Sequence, residues 1–88
     1  MIPVYGFLQG DTLGLLILAY PNDTVADLIN KLQKSAAVRI KPRADMLLLY
    51  KDKALAVHLT VKEIGIQPLE HFFVIHKEAE GAKAINAK

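Results

Sequence analysis

The hydrophobic and polar positions change period several times along this chain, and each change marks an element. Ile2-Pro3-Val4-Tyr5-Gly6-Phe7-Leu8 and residues 13–20 are apolar runs, the first rich in β-branched and aromatic residues; both are too short for most helices, which predicts two strands. Between them Gln9-Gly10-Asp11 supplies turn chemistry, so the strands should form a hairpin. The glycines at 6, 10 and 14 imitate a helix seam, but the β-formers around them favour the hairpin. After Pro21-Asn22-Asp23, the positions Val25, Leu28, Ile29, Leu32 and Ala36 keep the i, i+3, i+4, i+7 spacing of one amphipathic helix, capped by Asp23 or Thr24. Asp27 and Lys31, four apart, predict an ion pair on its wet face. Residues 38–45 read as an extended basic connection, because Pro42 restricts Lys41. Met46-Leu47-Leu48-Leu49-Tyr50 is a third strand, and Lys51-Asp52-Lys53 turns it toward a short segment at residues 54–57. Thr60-Val61-Lys62-Glu63 has capping-box spacing for a single turn closed by Gly65, and Phe72-Phe73-Val74-Ile75 makes the last strand. Beyond residue 77 the periodicity is lost, so the chain divides into one domain over residues 1–77 and an expected mobile tail over 78–88.

The order β-β-α-β-β, one helical turn, β is that of an α+β, β-grasp (ubiquitin-like) fold, with a mixed sheet of four to five strands and one main helix. Such a sheet normally turns its second face to water. Here the period of two puts Ile2, Val4 and Leu8 on one side of the first strand and Tyr5 and Phe7 on the other. In the second it separates Leu13, Leu15, Ile17 and Ala19 from Leu16, Leu18 and Tyr20. Met46, Leu48 and Tyr50 oppose Leu47 and Leu49 in the third, and Phe72 and Val74 oppose Phe73 and Ile75 in the last. Both faces are apolar. One helix covers one of them, so the other is predicted to bury against another chain, with Leu16, Leu18 and Phe73 as candidate contacts.

Composition narrows the function. The 88 residues suffice for one small domain, and 52% hydrophobic with 23% charged residues excludes the signature of disorder. There is no cysteine, hence no disulfide framework and no thiolate nucleophile. Eleven Lys plus Arg against nine Asp plus Glu gives a formal charge of +2, too small to imply nucleic acid. The uncharged stretch between Asp11 and Asp23 falls well short of the roughly 20 residues a membrane-spanning helix needs. The first residues lack the basic start of a secretory signal, which places the expected location in the cytoplasm.

Candidate chemistry is sparse. The three imidazoles, His58, His71 and His76, cannot converge on a metal, since His71 and His76 point to opposite faces of one strand. Ser35, the only serine, has no nucleophile-elbow context. No glycine loop opens the helix to cradle phosphate. Glu63, Glu70, Glu78 and Glu80 form no acid–base pair. Arg39, Lys41 and Arg43 alternate with Val38, Ile40 and Pro42, so an extended chain would set three positive groups on one side, to grip phosphates, to protect a solvated edge strand by charge, or to dock on acidic residues of a partner. No stacking aromatic pair lies beside them.

Residues 59–67 followed by a strand resemble the end of ubiquitin-like domains, although the terminal Gly-Gly of a conjugated modifier is absent, so conjugation is not expected. A closer resemblance is to the small γ subunit of the hydroxylase component of bacterial toluene, xylene and alkene monooxygenases. Ile2-Pro3-Val4 resembles that family's aromatic-Pro-Val opening, and Asn22-Asp23-Thr24 its Asn-Asp-Ser helix start. Val38-Arg39-Ile40-Lys41-Pro42-Arg43 is similar to its basic-Pro-Arg segment, and Gly65-Ile66-Gln67-Pro68-Leu69-Glu70 to its Gly-Leu-Asn-Pro-Thr-Glu turn. The match spans residues 2–77. It implies a subunit with no catalytic residue and no cofactor of its own, docked on the large subunit that holds a carboxylate-bridged diiron centre, beside a medium subunit. Its implied reaction is oxidation of aromatic or alkene hydrocarbons. The rival expectations are an independent ubiquitin-like adaptor that binds another protein without conjugation and, more remotely, a nucleic-acid binder using the basic strip.

Overall fold

The computed structural model describes residues 1–77; the expected tail at 78–88 lies outside the described residues. The elements run β1 (Ile2–Leu8), β2 (Gly14–Ala19), α1 (Val25–Ser35), β3 (Met46–Tyr50), β4 (Lys53–Leu55), α2 (Val61–Ile64) and β5 (His71–His76). They build one five-stranded sheet in the order β2-β1-β5-β3-β4. The first and last strands meet in parallel at its centre, Tyr5 beside His71 through Leu8 beside Val74, while the other pairings are antiparallel. This is the mixed β-grasp sheet expected from the order of elements.

The apolar stripe of α1 lies across the inner face. Val25, Leu28 and Leu32 are wholly buried, as are Val4, Leu48, Phe72 and Val74 beneath them. Close approach depends on Gly6, where a Cβ would stand 2.9 Å from both Leu32 Cδ1 and Phe72 Cζ. Gln33 shares the stripe and is buried too. Its amide donates to the Arg43 carbonyl and accepts from the Arg43 N–H, both at 2.8 Å, so it pairs with backbone as a neighbouring strand would.

The two helix starts are joined. Thr24 and Thr60 form an isolated antiparallel bridge, and each caps its own helix in a full capping box, with Asp27 and Glu63 respectively. The first two N–H groups of α1, on Val25 and Ala26, donate to the carbonyls of Leu59 and Val57. Those of α2, on Val61 and Lys62, donate in return to Asp23 and Pro21. Donors that a helix start leaves unpaired are thus satisfied reciprocally.

Several local expectations are corrected. Lys31 pairs with Asp23 and donates to the Leu18 carbonyl at 2.9 Å, because the Asp27 carboxylate is committed to the Thr24 N–H. The second strand begins at Gly14 rather than 13, since the Asp11 carboxylate accepts the Leu13 N–H and holds it in the turn. The fourth strand is Lys53–Leu55, shifted from 54–57, because the carbonyls of Val57 and Leu59 turn to serve α1. The connection after α1 is not extended at its start. Arg39 and Ile40 both donate to the Ala36 carbonyl, which coils residues 36–39 into turns.

Gly6→Ala is expected to cost about 1–3 kcal/mol through overpacking against Leu32 and Phe72. Gly65→Ala, at φ 71 with open space around it, should cost about 1 kcal/mol for backbone conformation alone. Urea unfolding of the two variants separates these causes: only the loss at Gly6 should shrink when Leu32 is shortened to Val.

Candidate functional site

Because α1 occupies the inner face, the outward positions of the strands meet no other element. They form cross-strand rows: Leu18 beside Pro3; Leu16, Tyr5 and His71; Gly14, Phe7, Phe73, Leu49 and Ala54; and Ile75 beside Leu47. None of these outward positions carries Asp, Glu, Lys or Arg. Leu16 is 56% exposed, Leu18 46%, Phe73 43% and Tyr5 39%, so the open part of the face lies over β2, β1 and β5. Leu49, outward but flanked in register by Phe73 and Ala54, is itself buried.

Three rings make the centre of the patch. Phe7 and Phe73 stack with centroids 5.3 Å apart at 27°, and His71 stands nearly perpendicular to both, at 5.9 and 5.5 Å. Gly14 makes this possible: a Cβ there would lie 2.8 Å from the Phe7 ring. Beside the rings, the turn through Leu69 is pinned to β1, since the Leu69 N–H donates to the Pro3 carbonyl and the Tyr5 N–H to the Glu70 carbonyl. Leu69 itself takes the left-handed φ of 67 and is 61% exposed, extending the apolar surface past the sheet end.

A polar pair bounds the patch. The Tyr50 hydroxyl donates to the Glu70 carboxylate, which also accepts the Gln67 N–H. Burial, then the bond to Glu70 and its negative charge, push the phenol up to about 12. Glu70 is held below the usual carboxylate range, first by the Tyr50 hydroxyl and then by the Gln67 N–H.

The basic strip lies elsewhere and is broken. The Arg39 guanidinium forks onto Asp11, whose carboxylate keeps 4% of its side-chain exposure, and that bond holds Asp11 below its ordinary pKa. Arg43 pairs with Asp45, lowering it likewise, and reaches a ring nitrogen of His76 at 3.1 Å. Lys41 has no ion pair among the described residues. The three cations therefore do not form one row: two are matched locally by carboxylates. The structure thus gathers Leu16, Leu18 and Phe73 on one face and leaves Arg39, Lys41 and Arg43 on the loop after α1. Tyr5 and Phe7, set on that side by the period of two, belong with the first group, and His71 joins them because β5 begins one residue earlier than expected. Among the described residues no three His, Cys, Asp or Glu side chains are grouped so as to hold a metal ion, and no helix is long and apolar enough to cross a membrane.

The family of toluene-4-monooxygenase system protein B (TmoB) matches residues 1–76. This chain belongs to the TmoB family. It is a small subunit of a multicomponent toluene-type monooxygenase system, as its resemblance to the γ subunits implied. A chain in the structure of the toluene 4-monooxygenase HD complex with the inhibitor 4-bromobenzoate superposes with a TM-score of 0.78 at 22% identity, covering 86% of this chain and 98% of that one. The ubiquitin of Caldiarchaeum subterraneum superposes at 0.69 with 23% identity, over 86% of this chain and 92% of its own. These likenesses show that the TmoB chain has the ubiquitin-like fold. No match was found among curated proteins.

The Tyr50–Glu70 pair gives a spectroscopic prediction. The difference between wild type and Tyr50→Phe, followed at 295 nm, should show one phenol ionising near pH 12. A phenol whose folded pKa is raised stabilises the fold fully below about pH 10, and that contribution is lost as pH rises toward 12. Urea midpoints of wild type and Tyr50→Phe should therefore differ by a constant amount below about pH 10 and converge as the pH approaches 12.

Proposed function

We propose that this TmoB-family chain is a non-catalytic subunit that docks, through the outer face of its sheet, on the large hydroxylase subunit of a monooxygenase oxidising aromatic or alkene hydrocarbons. The observation that carries the proposal is the charge-free apolar face over β2, β1 and β5, left open in a chain whose family is a component of such a system. Apolar area removed from water is worth roughly 25 cal/mol per Å², and stable interfaces cover on the order of 800 Å² per partner. A face with no charge to desolvate suits a lasting contact better than a transient one.

On this reading the diiron centre lies in the large subunit and this chain contributes no ligand to it. The chain's contribution is then to cover and brace a surface of that subunit, with the medium subunit completing the assembly. Lys41 serves as a rim contact to an acidic patch of the partner, with Arg39 and Arg43 holding the loop that presents it.

Phe73→Asp and Leu16→Asp are expected to abolish co-purification with the large subunit, because each places a charge in the buried contact. Both should leave the circular dichroism of the isolated chain unchanged, since neither side chain enters the inner core. Lys41→Ala should weaken binding less than tenfold and flatten its salt dependence. The direct test is a native pull-down of the tagged chain with mass spectrometry and iron analysis. Two larger subunits arriving with iron would support the proposal; a chain recovered alone and monomeric would overturn it in favour of an independent adaptor.

A further inference from the structure

Strand β2 ends the sheet, and the direction of its backbone groups follows from those of β1. The Pro3 carbonyl accepts from the Leu69 N–H, the Tyr5 N–H donates to the Glu70 carbonyl and the Gln9 N–H to that of Val74, so the odd-numbered residues from Pro3 to Gln9 turn their polar groups toward β5. In an antiparallel ladder two opposed residues either bond each other or both point away. Leu18 and Leu16, opposed to Pro3 and Tyr5, therefore aim their N–H and C=O groups off the edge of the sheet. Among the described residues only the Leu18 carbonyl is met there, by the Lys31 ammonium at 2.9 Å.

We propose that the large subunit docks by adding an extended segment of its own to β2 as a sixth strand, with apolar side chains beside Leu16 and Leu18 and an acidic side chain toward Lys34. The inference deepens the proposed function and rests on it for the identity of the partner.

The two sheet edges differ in a way that favours β2. The far edge, β4, is three residues long and carries Lys53, and shortness and charge both guard against strand pairing. β2 runs for six residues without a charge or a proline. Its outward side chains Leu16 and Leu18 are exposed, so an added strand extends the apolar face and the backbone ladder together. The flank toward α1 sets the chemistry of that strand. There Leu16, Leu18 and Tyr20 line a recess with Lys31, Lys34 and Ser35. Lys31 is matched by Asp23 and lies over the Tyr20 ring, whereas Lys34 is exposed and has no ion pair among the described residues. The two carboxylates of this segment, Asp23 and Asp27, are held by Lys31 and by the Thr24 N–H. A second copy pairing through the same edge brings another Lys34 and the same committed carboxylates, while an acidic segment supplies the charge that Lys34 lacks.

The test is binding of the full chain to the hydroxylase from which this subunit has been removed, for wild type, Leu16→Ala, Leu16→Pro, Lys34→Glu and Phe73→Asp, with backbone hydrogen exchange of the wild-type chain free and docked. Leu16→Pro removes an N–H that β1 does not use, so its circular dichroism should match wild type. It should bind about tenfold or more weakly than Leu16→Ala, which loses the same side chain and keeps the N–H. Lys34→Glu should weaken binding several-fold, most at low salt. The Leu16 and Leu18 amides should exchange fast in the free chain and about a hundredfold more slowly once docked. Equal binding of Leu16→Pro and Leu16→Ala, or unchanged exchange at both amides should the proline variant unfold, would overturn strand addition. Lys34→Glu binding as wild type does would overturn the acidic segment, and a free chain that self-associates until Leu16→Pro is introduced would assign the edge to a second copy instead. If Phe73→Asp fails to bind while Leu16→Pro matches Leu16→Ala, only strand addition falls; if Leu16→Pro fails while Phe73→Asp binds as wild type does, the added strand stands and the outer face is not the docking surface.

Discussion

A single three-turn helix can shield one face of a five-stranded sheet and no more, and the organisation of this molecule follows from that limit. The inner face is closed by Val25, Leu28 and Leu32 lying over Val4, Leu48, Phe72 and Val74. Gly6 lets the helix come close enough to leave no gap. The outer face has no second helix and no charges to make it comfortable in water. A sheet built this way leaves its second hydrophobic layer open, and under the proposed function it is a partner subunit that closes it.

Two polar devices keep the helix in register with that sheet. At its start, α1 exchanges backbone hydrogen bonds with the start of α2, so each helix is capped partly by the segment leading into the other. Near its end, Gln33 clamps the backbone of Arg43. Between them these contacts fix the helix at both ends, leaving the apolar stripe to set its depth. The same clamp holds the basic loop in place, and the ion pairs Arg39–Asp11 and Arg43–Asp45 finish its attachment.

The pattern along the chain revealed the order of elements, the capping box of α2, the left-handed Gly65 and the separation of the two sheet faces, because each depends on periodicity or on chemistry within a few residues. What escaped depends on distant partners. Asp27 was four residues from Lys31, but a capping box had the prior claim on its carboxylate. The alternation of Arg39, Lys41 and Arg43 suggested one charged row, whereas Asp11, 28 residues away from Arg39, draws one of them aside. Gln33 continues the buried spacing of Val25 and Ile29. Its polarity concealed it until the carbonyl and amide of Arg43 supplied its partners.

The parallel pairing of β1 with β5 at the sheet centre also bears on how the subunit comes into being. Tyr5 and His71 are neighbours in space but stand at opposite ends of the domain in synthesis. The β1–β2 hairpin can close early, yet the central pairing waits until the last strand has been made, and such long-range closure is slow. During that interval both apolar faces of the hairpin are bare, which makes the nascent chain prone to sticking to its own copies. The β1–β5 pairing is therefore the step that ends this exposure, and a variant that delays it lengthens the time the hairpin is open to self-association.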